Sequence, residues 1–308
     1  MSLMPLMYLA KVNLNSRIFE VYEDKLDINT VLDDVYTKLN ADKIYSDSKK
    51  VEYDDSLGNK KSYTKVSNYQ FNDLQKQPED QVISGKIMRS FQRPSEELDK
   101  ITGKLIDTYI EEKVSIYFYF DVKKELITFS TRQSFGYIQF TNSFNNLLNM
   151  TIDSYGFEVF LQKDEDVLSE KIKSFKRISK VMATLIPPNA NEEDLTEFRQ
   201  SLGYIGECQE SNAKKFKLEL IDSEQEPGLN MEAKIMVDTI KAVGRGYGDM
   251  TTYGISHSDR AQVMKSNQDA ALTCVVNENI TEEEYKTESG GFIARFLANL
   301  IVKRAKGA

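Results

Sequence analysis

Lys171, Lys173, Lys176, Arg177 and Lys180 crowd the junction between an expected helix and the strand that follows it. Cations there suit the negative end of a helix dipole, and the same run could neutralise phosphates. Lys214, Lys215 and Lys217 make a second basic group, and Lys303, Arg304 and Lys306 a third. If the three converge they form one discontinuous groove for a nucleic-acid backbone, and if they do not they are solvated faces. Gly244-Arg245-Gly246-Tyr247-Gly248-Asp249 offers a different chemistry. Its glycines permit close backbone approach to a ligand, with Arg245 on phosphate and Tyr247 stacked on a base. The stretch follows an expected helix and lacks the strand-before-helix spacing of a dinucleotide or P-loop fingerprint, so a helix C-cap and a turn also account for it.

Catalytic constellations are thin. His257 is the only histidine, and its neighbours Ser256, Ser258 and Asp259 cannot all face it along one strand or loop as a triad requires. Asp222, Glu232 and Lys234 have the residue types of a metal-dependent nuclease, but two of them fall in an expected helix. The pairs Asp33-Asp34 and Asp54-Asp55 diverge from each other on any regular element, which suits solubility better than acid/base work. With only Cys208 and Cys274, no disulfide framework or zinc site can be built from cysteine. These features favour a non-enzymatic protein without a cofactor, in a reducing cytoplasm.

The elements that must hold these residues are those of a folded α+β protein. The chain has 308 residues, 40% of them hydrophobic, with 16 Tyr, 16 Phe and no Trp. That length leads us to expect two domains. A formal net charge of −8 argues against a wholly basic nucleic-acid coat, though not against a local basic face. The start lacks a basic n-region and is not read as a signal peptide, and no window is apolar enough to span a bilayer.

Val114–Phe120 and Leu126–Ser130 read as a hairpin around Asp121–Glu125, followed by a helix over Asn142–Met150 and a strand over Gly156–Gln162. Before them, Met7–Leu14 and Ile18–Tyr22 read as a strand pair and Thr30–Leu39 as a helix capped by Asn29. A polar loop with a turn at Gly58-Asn59 leads to strands over Ser62–Leu74 and Gln81–Arg93. Pro94-Ser95-Glu96-Glu97 has the pattern of a helix start. After residue 151, strands over Gly156–Gln162, Ile178–Ile186, Phe216–Ile221 and Met250–Ile255 alternate with helices over Glu165–Phe175, Glu192–Leu202 and Leu229–Val243. A strand over Ala271–Val276, a helix start at Thr281 and a last helix over Gly291–Lys306 complete the chain. The expected fold is α+β, with an antiparallel β-rich domain over 1–151 and a ferredoxin-like α/β sandwich with a C-terminal helix over 152–308.

Phe118-Tyr119-Phe120-Asp121, Phe135-Gly136-Tyr137, Leu185-Ile186-Pro187-Pro188-Asn189 and Gly246-Tyr247-Gly248 occur in this order. With them the chain resembles bacterial proteins of phage-exclusion and defence loci, of the RexA type and of the B component of the Kiwa system. The resemblance implies a cytoplasmic two-domain protein that forms a homodimer and binds duplex DNA with little sequence preference. It carries no individual residue across, so the candidate contacts remain those of the charge argument. Two other classes stay open: an interaction subunit of a larger complex, with Phe292, Phe296 and Leu300 as a candidate apolar stripe, and a metal-dependent nuclease.

Overall fold

The computed structural model describes residues 5–54, 58, 60–189, 203–223, 227–277 and 279–307, with residues 107, 304 and 306 by backbone alone. The helix expected over Glu192–Leu202 lies outside the described residues. The strands are β1 (Leu6–Leu14), β2 (Ile44–Asp54), β3 (Lys60–Gln77), β4 (Val82–Leu98), β5 (Leu105–Asp121), β6 (Leu126–Ser130), β7 (Phe157–Leu161), β8 (Phe175–Leu185), β9 (Phe216–Ile221), β10 (Gly248–Ser256), β11 (Ala261–Lys265) and β12 (Thr273–Val275). The helices are α1 (Ile18–Tyr22), α2 (Ile28–Lys38), α3 (Tyr137–Thr151), α4 (Glu165–Lys173), α5 (Gly203–Glu210), α6 (Lys234–Gly244), α7 (Ser266–Asp269) and α8 (Glu282–Gly307). The protein is a mixed α+β fold with antiparallel sheets and a C-terminal helix, as the sequence leads one to expect.

The larger sheet runs β12-β1-β6-β5-β4-β3-β2, and β7 also pairs with β1. β12 and β7 share one edge of β1, meeting end to end where Leu9 accepts from Gln162 N–H and donates to Leu272 O. Both lie after residue 151, so this sheet draws strands from either side of the expected boundary. The smaller sheet runs β11-β10-β8-β9. Helices α4 and α6 pack on one face of it, giving the expected single helical layer over one sheet.

The aromatic density of the β5–β6–α3 region serves core packing. Phe140, Phe144, Leu147 and Leu148 recur at helical spacing on α3 and are all buried. Phe129 stacks on Phe140 at 3.8 Å between centroids, and Phe71, Phe118 and Phe120 meet Phe144 edge-on. Each such ring stabilises the fold by about 1.5–3 kcal/mol through burial.

Several local expectations fail for identifiable reasons. Ile18–Tyr22 is helical because Ile18, Val21 and Tyr22 all turn inward, a spacing of three and four rather than two. The cap of α2 is Asp27, whose carboxylate accepts from Asn29 N–H at 2.9 Å, and not Asn29. The polar segment before Gly58 is strand β2, paired residue by residue with β3 at the sheet edge. Pro94–Glu97 starts no helix. It continues β4, whose pairing with β5 runs unbroken from Val82↔Asp121 to Leu98↔Leu105. Pro94 is tolerated there because β3 has already left β4, at Phe91, so no sheet partner needs its missing N–H. The last helix runs through Gly290 and Gly291 without a break.

Candidate functional site

The glycine-bearing stretch lies at the seam between the two sheets. Tyr247 is fully buried, and its hydroxyl accepts from Lys11 Nζ, which also lies 4.2 Å from the ring centroid. A tyrosine so enclosed cannot stack on a base, which removes it from the expected contacts. Neighbouring side chains hold the loop by its carbonyls: Asn13 Nδ2 donates to Gly246 O at 3.1 Å, and Gln162 Nε2 to Arg245 O at 3.3 Å. Gly248 is required for packing, since a Cβ there would stand 2.2 Å from Thr184 O.

Lys163 completes the seam. Its fully buried Nζ donates to Leu161 O at 2.6 Å, Gly248 O at 3.0 Å and Asp249 Oδ1 at 2.8 Å, engaging all three ammonium protons. Burial pushes its pKa down, and the Asp249 carboxylate opposes that. The sequence reading passed over Lys11, Asn13 and Lys163. The available signal was a cation and an amide set inside otherwise apolar strands, at Lys11–Asn13 and after Leu161.

The basic series splits. Lys171 and Lys173 are exposed in the last turn of α4, and Lys176 pairs with Asp259 at 2.6 Å. Arg177 grips Asp222 Oδ2 through Nε and Nη2 at 3.0 and 2.7 Å, and Lys180 pairs with Glu219. Lys214 and Lys217 are exposed at β9, Lys217 on the face where Glu219 meets Lys180, while Lys215 pairs with Glu158 at 2.9 Å. Lys217 sits opposite Thr184, eight residues along β8 from Lys176, or about 26 Å at strand rise. Arg245 lies 3.9 Å from Glu165, which it shares with Lys303, itself bound to Asp166 at 2.8 Å. The side chains of Arg304 and Lys306 lie outside the described residues. The described basic residues are thus spread along the smaller sheet and at the N-terminus of α4, and carboxylates pair with most of them.

A cavity of about 340 Å³ lies where Lys303 meets the N-terminus of α4. Phe292, Phe296 and Leu300 of α8 line it with Leu272 and Cys274, so the expected apolar stripe is a pocket wall.

The most exposed apolar surface is elsewhere, on the β4–β5 ribbon. β3 accompanies β4 only to Phe91, and β6 accompanies β5 only over Phe118–Asp121. Beyond Phe91 the ribbon projects about 23 Å, seven residues at strand rise. Leu98, Leu105, Ile106, Tyr109 and Ile110 are exposed along it, and Ile101 at the apex is 95% exposed. The apex is ordered by Asp99, whose carboxylate accepts from Ile101 N–H at 2.9 Å and Thr102 Oγ1 at 2.7 Å. Those bonds pull its pKa down. Tyr109 meets Tyr63 with the rings tilted at 48°, 5.9 Å between centroids, bracing the ribbon against the β2–β3 hairpin.

These features lie on a matched sequence family. The chain belongs to the DUF4747 family. The family, described as a domain of unknown function, matches residues 51–287. No curated protein matches the chain. The DUF4747 match takes in the ribbon, the smaller sheet and the Lys163 and Gly244–Asp249 side of the seam, leaves Lys11 and Asn13 outside, and ends within α8. Within it the nuclease set is not assembled, because the Asp222 carboxylate is engaged by Arg177. No group of three or more His, Cys, Asp or Glu side chains among the described residues is placed to hold a metal ion. His257 is exposed in the β10–β11 turn, where Asp259 turns to Lys176 instead. No helix among the described residues is long and apolar enough to cross a membrane.

Proposed function

We propose that this chain is a non-enzymatic interaction protein that dimerises by pairing the outer edge of β5 with the same edge of a second copy. The observation that carries this is the backbone edge of Leu105–Ile116, which ends where Tyr117 O accepts from the Tyr285 hydroxyl at 3.3 Å. Among the described residues it pairs with β4 on one side and with no strand on the other. A long edge flanked by exposed apolar side chains invites strand addition, and folded proteins normally cover or charge such an edge.

A second copy fits because antiparallel pairing of one strand with itself is self-complementary about a two-fold axis. Centred on Ile110, the register sets Ile110 against its own copy and Ile106 against Val114 twice, making one apolar stripe. It also puts Glu111 and Glu112 opposite Tyr109 and Thr108, not opposite each other. Sedimentation equilibrium at micromolar concentration tests the reading. We expect a dimer that Ile110→Lys converts to a folded monomer, and a wild-type monomer at every concentration overturns it.

A second reading is weakly sequence-specific binding of duplex DNA in a bacterial anti-phage defence or exclusion system. Lys171 and Lys173 favour it, being exposed beside Lys176 and without a carboxylate partner among the described residues. The defence role rests on the resemblance alone. A gel shift at low salt tests the binding, with apparent affinity expected to fall steeply as salt rises. No shift at micromolar protein removes this reading and leaves the dimer standing.

A further inference from the structure

We infer that the cavity between α8, β12 and the N-terminus of α4 is a binding site for a small amphipathic monoanion, an alkyl or aryl carboxylate or sulfonate. Its volume of about 340 Å³ falls in the lower range of pockets that enclose small organic ligands. The walls supplied by Leu272, Phe292, Phe296 and Leu300 suit an apolar body.

The ends of the cavity differ in charge, and that difference selects the ligand. At the α4 end the charged groups are already engaged. Asp164 caps α4 by accepting from the Asp166 and Val167 N–H groups, and Lys303 holds Asp166 and approaches Glu165. Lys163 borders the cavity with all three of its protons donated elsewhere. At the β12 end Arg295 has no hydrogen bond or ion pair among the described residues. Its guanidinium lies over Gly291, with Nη1 3.4 Å from where a Cβ would stand, and its charge reaches the Cys274 thiol. One unengaged cation at one end calls for one anionic group, with Asn299 beside it as a neutral donor. The carboxylates at the far end oppose a second negative charge, which disfavours a dianion such as a phosphate monoester. Arg295 and Asn299 are exposed at the mouth of the cavity, so the anionic group sits at the solvent edge while the apolar body enters between Leu272, Phe292, Phe296 and Leu300.

The probe is 1-anilinonaphthalene-8-sulfonate, an aryl monoanion, titrated into the full chain by fluorescence. The site predicts saturable, single-site binding that decanoate displaces and that slows alkylation of Cys274, with buried Cys208 as the unreactive reference. Arg295→Gln should weaken binding at least tenfold while Arg295→Lys restores part of it. Leu300→Glu, which sets a carboxylate in the apolar wall, should abolish it. Ile110→Lys on the ribbon should leave it unchanged, separating this site from the dimer contact. Thermal melts establish that each variant is folded. Non-saturating fluorescence, or equal affinity in Arg295→Gln and Leu300→Glu, overturns the inference.

Discussion

Lys163 shows how a charged side chain can be structural at the scale of one residue. Its three protons go to two buried carbonyls and a half-exposed carboxylate, so truncation leaves the two carbonyls without this donor in a buried place. Breaking a buried pair from one side typically costs about 3–5 kcal/mol, and we expect Lys163→Met to lose roughly 3 kcal/mol in urea unfolding. A loss under about 1 kcal/mol would make the seam dispensable. Asp34 gives a pH test. It accepts from Lys38 and from the Tyr155 hydroxyl at 2.8 and 3.1 Å, and the Lys38 ammonium leads in holding its pKa below the ordinary 3.8. Between that lowered value and 3.8 the unfolded chain holds the extra proton. The contribution is therefore present above the ordinary carboxylate value and lost as pH falls through the folded one. Asp34→Asn should melt below wild type at pH 7, and the two melting curves should draw together in acid. A gap that persists below both values would mean that Asp34 acts through packing and not charge. None of this was readable from residue types, since Tyr247, Lys163 and Asn13 take their roles from strands brought together across most of the chain.

Among the elements, β10 depends on a close approach that only glycine allows. A Cβ at Gly248 meets the Thr184 carbonyl at 2.2 Å, where β8 and β10 begin to pair. Gly248→Ala should destabilise by about 1–3 kcal/mol, the usual range for overpacking, and should speed amide exchange along β10. Unchanged unfolding would show that the strands can slide apart at no cost. Legibility at this scale followed the strength of local patterning. The β5–β6 hairpin, β8, β9 and β10 of the smaller sheet and α3 were legible because their apolar period is unambiguous, whereas the short polar edge strand β11 carries no such period. The ribbon was not. Pro94-Ser95-Glu96-Glu97 carries a sound local signal for a helix, and cross-strand pairing with Thr108, Tyr109 and their neighbours overrides it. β2 escaped notice because an exposed edge strand is polar on both faces. The candidate site was misjudged for a related reason. Basic residues were counted without the carboxylates that the sheets bring to them, such as Asp222 to Arg177 and Glu158 to Lys215.

At the scale of the whole molecule, an apolar ribbon projects from a two-sheet body, and we propose that it joins two copies through the β5 edge. Leu98, Ile101, Leu105, Ile106, Tyr109 and Ile110 leave an exposed apolar surface along this ribbon. The pairing has a strict geometric consequence. In the register centred on Ile110, that residue alone faces its own copy, at a Cα separation of about 4.5–5.5 Å. Such a separation is within reach of a disulfide. The most direct measurement is therefore mild oxidation of Ile110→Cys in a Cys274→Ser background. We predict rapid, near-complete cross-linking to a dimer, with Thr108→Cys in the same background remaining a monomer on a denaturing gel. Equal, slow cross-linking of the two variants, or none in either, would contradict the β5-edge dimer.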